Sequence, residues 1–250
     1  MTPKATYPSL SGSTVLITGG ASGIGAEIVR GFVAQGAHVG FVDFDEATSQ
    51  ALATDTGASF AHADLRDIAQ LKDAFASLIA KLGAPKVLVN NAARDDRHGW
   101  ETVTEAYYDE RIATNLRHMF FATQACAPAM IEAGQGGSIV NMGSNSWWEA
   151  SGGMPVYTTA KSAVHGMTRS FARDLGPHRI RVNTVVPGWI MTERQKELWV
   201  TEEALGRHLQ NQCTPDPIEP AEVAEMVFFL ASDAASACTA NNFFVEAGSV

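Results

Sequence analysis

Tyr157 and Lys161 stand four residues apart in the stretch Met154-Pro-Val-Tyr-Thr-Thr-Ala-Lys161. From Pro155 onward the segment reads as helix, and that spacing puts both side chains on one helical face. A phenol ionises near pH ~10 and is a poor base at neutrality. A fixed ammonium beside it favours the phenolate, so the pair suits proton transfer at a hydroxyl or carbonyl. Ser144 lies 13 residues before Tyr157, at the end of a strand-like run, where it can hydrogen-bond the same oxygen. A Tyr and a Lys at this spacing also occur on ordinary helix surfaces, so the remaining chain has to supply the context.

That context begins at the N-terminal end. After an irregular lead-in, residues 14–18 form an apolar strand that runs into Gly19-Gly-Ala-Ser22-Gly23-Ile24-Gly25 and a helical period over 26–35. Strand, glycine-rich turn and helix in that order suit a dinucleotide phosphate site: glycines let the backbone approach a pyrophosphate, and the helix end offers free N–H groups. A second strand, 38–43, ends at Asp43, 24 residues after Gly19, about where a ribose-binding acid is expected. Asp43 could instead cap the following helix. As a ribose ligand its carboxylate would repel a 2′-phosphate. Ser22 before Gly23 and Phe44 after Asp43 offer no basic group for one, which favours NAD over NADP.

The alternation continues to the C-terminus. Helices are expected over 45–56, 67–82, 104–133, 155–175, 193–212 and 222–231, and strands over 58–63, 86–90, 137–143, 180–186 and 242–245. This pattern predicts an α/β fold: a single-domain, Rossmann-type, doubly wound parallel sheet with helices on both faces. One domain should span 1–250, with a substrate lid around 189–215.

Composition narrows the function. The net charge of −9, without a basic cluster, argues against nucleic acid and anionic membrane surfaces. No apolar run reaches the ~18–20 residues of a membrane span, and the first residues lack the apolar core of a signal peptide. Three scattered cysteines give neither a disulfide framework nor a zinc site and fit a cytoplasmic setting. No G-x-S-x-G surrounds Ser144 and no H-E-x-x-H is present, so a serine hydrolase and a metalloenzyme are disfavoured; no metal ligands are assigned.

Thr18-Gly-Gly-Ala-Ser-Gly-Ile-Gly25, Asp64-Leu65, Asn90-Asn-Ala-Ala93, Asn115, Ser144, Tyr157-x-x-x-Lys161 and Pro187-Gly188, in this order, resemble the short-chain dehydrogenase/reductase family over essentially the whole chain. A narrower resemblance, in Tyr7-Pro-Ser-Leu, Asp95-Asp-Arg-His98, Asp109-Glu-Arg-Ile112 and Asn115-Leu-Arg-His-Met119, is to bacterial NAD-dependent sugar 1-dehydrogenases of the D-xylose 1-dehydrogenase type. The resemblance implies oxidation of an aldose, neutral or acidic, to its lactone. It makes Tyr157 the base, Lys161 the group that holds the nicotinamide ribose and lowers the Tyr157 pKa, and Ser144 the residue that positions the reacting oxygen. Asn115 would hold a water linking Lys161 to solvent. Asp64 and Leu65 would flank adenine, Asn91 and Ala92 would line the cofactor, and Ile190 and Thr192 would face the carboxamide. Relatives often form tetramers through the long helices, here 104–133 and 155–175. Two departures stand out: Ala93 replaces a usual glycine, and Glu246-Ala-Gly replaces a common Asp-Gly-Gly.

Loops after the strand ends should form the substrate pocket. They carry Arg94, His98, Asn145, Trp147, Trp148 and Trp189, groups suited to sugar hydroxyls and C–H patches. Arg94 or His98 would meet the charge of an acidic sugar. Equally, Arg94 and Arg97 can pair with Asp95 and Asp96, and the tryptophans can pack in the core or against another subunit. The rival readings are an NAD-dependent polyol or other secondary-alcohol dehydrogenase, and an NAD-sensing protein without chemistry.

Overall fold

A computed structural model describes residues 3–249, so Met1, Thr2 and Val250 lie outside the described residues. Seven parallel strands form one sheet in the order β3-β2-β1-β4-β5-β6-β7. They are β1 (Thr14–Thr18), β2 (His38–Asp43), β3 (Ser59–His62), β4 (Val87–Asn90), β5 (Gly137–Met142), β6 (Ile180–Pro187) and β7 (Asn242–Val245). Strands β1 and β4 are buried along their whole length, as continuous apolar runs in a sheet covered on both faces must be. The strand order reverses between β1 and β4, which opens a crevice at the strands' carboxyl ends.

One face is covered by α1 (Gly23–Ala34), α2 (Glu46–Thr56) and, far along the chain, α9 (Pro220–Ala231). Phe32 of α1 meets Phe228 of α9 edge-on, with centroids 4.9 Å apart. The approach is possible because position 31 has no side chain: a Cβ there would lie 2.0 Å from the Phe228 ring. The other face carries α3 (Ile68–Leu82), α5 (His118–Ala133) and α6 (Pro155–Leu175). Leu71, Phe75 and Leu78 of α3 pack there with Cys126 and Met130. Asp67 caps α3 by accepting from the Ala69 and Gln70 amides. Among the described residues no helix is long and apolar enough to cross a membrane.

Two expected helices are divided. The span 104–133 becomes α4 (Glu105–Ile112), a π-helical turn (Ala113–Arg117) and α5. Hydrophobic periodicity carries through such a turn, so it reads as one helix; side-chain bonds described below make the turn. The span 193–212 becomes α7 (Glu193–Leu198) and α8 (Glu202–Gln210), because Thr201 starts a new helix by capping the Ala204 amide. Of the two departures, Ala93 is exposed at a cavity wall. Ala247 takes a left-handed φ of 57°, a conformation natural to glycine.

The close contact at Gly31 yields a test of the packing. Gly31→Val should force the Phe228 ring aside and cost about 1–3 kcal/mol, lowering the melting temperature by several degrees. An unchanged melting temperature would contradict the α1–α9 packing.

Candidate active site

The crevice holds a cavity of about 710 Å³, a size typical of small-molecule sites. All the residues expected to hold a dinucleotide line it: Gly19, Ser22, Gly23, Ile24, Gly25, Asp43, Phe44, Asp64, Leu65, Asn91, Ala92, Tyr157, Lys161, Pro187, Gly188, Ile190 and Thr192.

The glycine turn is built for close backbone approach. A Cβ on Gly25 would stand 1.9 Å from the Gly19 carbonyl oxygen, and one on Gly19 would stand 2.7 Å from Ala92 Cα. Asn91 Nδ2 donates to the Gly19 carbonyl at 2.7 Å, while Thr18 Oγ1 accepts from the Asn91 and Ala92 amides at 3.0 and 3.2 Å. These bonds staple β1 to the loop after β4. Helix α1 starts at Gly23 without a side-chain cap from Ser22, so its first N–H groups stay available to an anion.

Asp43 is nearly buried and held from two sides. Its Oδ2 accepts from the Ala21 amide at 3.0 Å and its Oδ1 from the Asp45 amide at 3.1 Å. The alternative role as helix cap falls to Asp45, which accepts from the Thr48 amide. A fixed carboxylate with lone pairs to spare, at the rim of a glycine-walled groove, fits a ribose diol. Phe44 beside it is 65% exposed, an apolar face on the cavity wall. At the same end, Arg66 grips Asp64 through Nε at 2.9 and 3.0 Å and Glu110 at 2.9 Å. The Arg66 hydrogen bond holds the Asp64 carboxyl below its usual range.

At the other end stand Ser144, Tyr157 and Lys161. Ser144 leaves β5 and its Oγ accepts from the Ser146 amide at 3.2 Å, so its O–H remains free to donate. Lys161 is 2% exposed. Its Nζ donates to the Met142 carbonyl at 2.7 Å and lies 5.7 Å from the Tyr157 ring centroid. Burial lowers Lys161 to about 7. The Tyr157 phenol is raised, by burial first and then by Asp95, while Ser144 and Arg97 pull the other way. The lowering of Tyr157 expected from Lys161 is not seen in the protein alone: the groups that lower the phenol are Ser144 and Arg97, and burial outweighs them.

Asn115 sits in the π-helical turn and is fully buried. Its Nδ2 donates to the Arg111 carbonyl at 3.0 Å and its Oδ1 accepts from the Arg94 amide at 2.8 Å. Its amide thus pins the loop after β4 rather than lining the cavity. His118, at the same turn, bonds the Ala92 carbonyl through Nε2 at 3.0 Å. Burial, and then Lys161, lower it to about 3, so it is neutral and Nε2 carries the proton.

Of the residues expected to meet substrate, Arg94, Ser144, Asn145, Tyr157 and Trp189 line the cavity; His98 and Trp147 do not. His98 accepts from the Val156 amide through Nε2 at 3.2 Å, while Nδ1 lies 2.9 Å from the Asp96 carbonyl. It thereby caps α6, whose N-terminus has no side-chain cap of its own. Trp147 stacks on His165, centroids 6.5 Å apart. Asn145 is nearly buried and donates to Glu149. Arg94 pairs with Asp96 at 3.4 Å. Asp95, expected only as an ion-pair partner, also lines the cavity, as do Glu149, Arg194, Gln195 and His208, which nothing in the sequence marks as site residues. Polar residues on loops and on the exposed turns of α7 and α8 carry no periodic signal for a site; only contacts between segments distant in sequence reveal these.

The buried ammonium predicts a pH dependence. Lys161 titrates near 7 in the folded protein but near 10.5 when exposed, so the unfolded chain keeps a proton that the folded chain has lost between those values. Stability should then rise with pH through that window, by on the order of a few kcal/mol. Lys161→Met should flatten the rise in melting temperature between pH 7 and 10, and an identical pH profile in the variant would contradict the burial argument.

A family model described as Enoyl-(Acyl carrier protein) reductase matches residues 19–249. The chain is 47% identical over 250 residues, covering 98% of each protein, to a D-xylose 1-dehydrogenase of Caulobacter vibrioides. It is 45% identical over 252 residues, again 98% of each, to a probable galactose dehydrogenase of Rhizobium meliloti. Among solved structures, Thermoplasma acidophilum aldohexose dehydrogenase superposes with a TM-score of 0.88 at 27% identity, covering 97% of this chain and 95% of that one. Likeness of this extent spans the fold and the site together: the chain belongs to the short-chain dehydrogenase/reductase family, as a dehydrogenase acting on CH–OH groups with a nicotinamide cofactor.

Proposed function

We propose that the protein oxidises an aldose at C1 to the sugar lactone, with NAD as hydride acceptor. The observation that carries this reading is the placement of Ser144, Tyr157 and Lys161 at the polar end of a cavity whose other end is the glycine turn and Asp43. The relatives named for xylose, galactose and aldohexose give the substrate class. The bound nicotinamide supplies the acceptor for the hydride leaving C1. Tyr157 takes the C1 hydroxyl proton, and Ser144 donates its free O–H to the same oxygen, holding it at the phenol. Lys161, with N–H groups beyond the one given to Met142, holds the nicotinamide ribose and favours the phenolate as an ammonium. Asn115 and His118 serve the site by fixing the loop after β4 that walls it.

Cofactor choice follows from Asp43. Its carboxylate is fixed by two amides, so it cannot swing away from a 2′-phosphate, and like charges at such range cost several kcal/mol. The lid comprises α7 and α8. Assembly as a homotetramer through the spans 104–133 and 155–175 is supported by the packing of Phe120, 45% exposed, on Phe171. Three free thiols, at Cys126, Cys213 and Cys238, suit a cytoplasmic setting.

The test is NADH absorbance measured across neutral pentoses and hexoses, acidic sugars and open-chain polyols, with NADP run in parallel. Aldoses should be oxidised and polyols not, and NADP should be about 100-fold or more less efficient than NAD. Turnover confined to polyols or ketones would refute the substrate class. Equal efficiency with NADP would refute the role of Asp43, and NAD binding without any turnover would favour a sensor.

A further inference from the structure

Helix α6 carries both Tyr157 and Lys161, and its first turn lacks a side-chain cap of its own. Met154, at the N-cap position, caps nothing, and Pro155 after it has no N–H. The first amide to find a carbonyl along this turn is that of Thr158, which donates to Met154 at 3.0 Å. The amides of Val156 and Tyr157 are left over, as opening amides of a helix are. Val156 is buried, and an unpaired amide in a buried segment is costly.

The partner comes from 58 residues away: His98 Nε2 accepts from the Val156 amide at 3.2 Å. A backbone amide can only donate, so Nε2 is the bare ring nitrogen and Nδ1 carries the proton. Nδ1 shares that proton between the Asp96 carbonyl at 2.9 Å and the Tyr107 oxygen at 3.0 Å. The Tyr107 ring meets the imidazole edge-on, centroids 5.1 Å apart. The same loop grips the residues ahead of the helix. The His98 amide donates to the Gly153 carbonyl at 2.8 Å, and Arg97 Nη1 donates to the Met154 sulfur at 3.4 Å. Gly153, Met154 and Val156 are thus held in turn, and the next residue is Tyr157. One helical turn further on, Lys161 Nζ is tied to the Met142 carbonyl at 2.7 Å. The stretch that carries the phenol is therefore fixed at both ends, by His98 at its start and by β5 at its finish. Ser144, on the segment leaving β5, stands outside the His98 ties.

We propose that His98 is a positioning residue for the reaction: by accepting the Val156 amide it fixes the first turn of α6 and sets the Tyr157 phenol against the oxygen that Ser144 holds. A reacting group moved off its partner loses rate without losing binding, so His98 acts on turnover and not on the sugar. The proposal rests on the reading of Tyr157 as the base. It gives His98 a part in the reaction although its ring does not line the cavity.

The test compares His98→Leu, which removes the acceptor, with His98→Gln, whose side-chain oxygen can stand where Nε2 stood. Steady-state kinetics give kcat and the KM values for alcohol and NAD. Stopped-flow absorbance gives the rate constant of the first turnover, which the fraction of folded enzyme does not change. His98→Leu should slow the first turnover and kcat about 10- to 100-fold, with both KM values within about threefold of wild type. His98→Gln should recover most of that loss. If His98→Leu does not fold, His98→Asn takes its place: it keeps a donor for the Asp96 carbonyl but is too short to reach Val156. A first turnover within about twofold of wild type, no recovery in His98→Gln, or a loss confined to the KM of the alcohol would overturn the proposal; the last would make His98 a substrate contact. The aldose reading fails separately, if wild type turns over no aldose, and the comparison is then run on whichever alcohol reacts. Wild type inactive on every alcohol would overturn both.

Discussion

The site depends on burying one ammonium. Lys161 lies between the end of β5 and the body of α6 with a single direct acceptor, the Met142 carbonyl. Taking a charged amine out of water is costly unless its donors are matched, so neighbouring elements are constrained by where that Nζ must sit. Desolvation moves the pair away from the state that chemistry needs: Lys161 falls towards neutrality and the Tyr157 phenol is held protonated. In the protein alone neither group is held in the form that the proposed proton transfer uses. His118 answers to the same condition, since burial and the nearby ammonium keep it neutral and commit its proton to the Ala92 carbonyl.

The wall opposite Tyr157 is made by the loop after β4, which would be irregular without its ties. Asn115 holds its Arg94 amide, His118 its Ala92 carbonyl, and Thr18 the amides at 91 and 92. His98, from the same loop, caps α6 and so bears on where Tyr157 and Lys161 stand. Asp96 gathers Arg94, Arg111 and Arg194, joining the loop to α4 and α7. A substitution in this loop acts on the glycine turn, the start of α6 and α7 together, because each is tied to it by at least one hydrogen bond.

Much of this was legible in the sequence. Buried parallel strands are short apolar runs, and the glycine turn and Asp43 announce themselves by spacing; β1, β2, β7 and α6 lie where the pattern puts them. The cavity-lining roles of Gly25 and Asp43 follow from steric and charge rules that need no coordinates. What stayed hidden depends on contacts distant in sequence. The π-helical turn keeps a helical pattern, so only the bonds of Asn115 disclose it. His98 reads as a polar group for substrate until its ring is seen capping α6. Asn145 adjoins Ser144, yet its amide is taken by Glu149. Asp95 and Gln195 are 100 residues apart and are linked only where α7 packs against the loop after β4.

In the proposed reaction the bond broken is C–H at the anomeric carbon, beside the phenol of Tyr157. The direct measurement is turnover of an aldose deuterated at C1, with mass analysis of both products. In wild type, deuterium should pass to the reduced nicotinamide and leave a lactone free of it, and both products should be lost in Tyr157→Phe. Deuterium retained in the sugar product, or transfer at an undiminished rate in Tyr157→Phe, would contradict it.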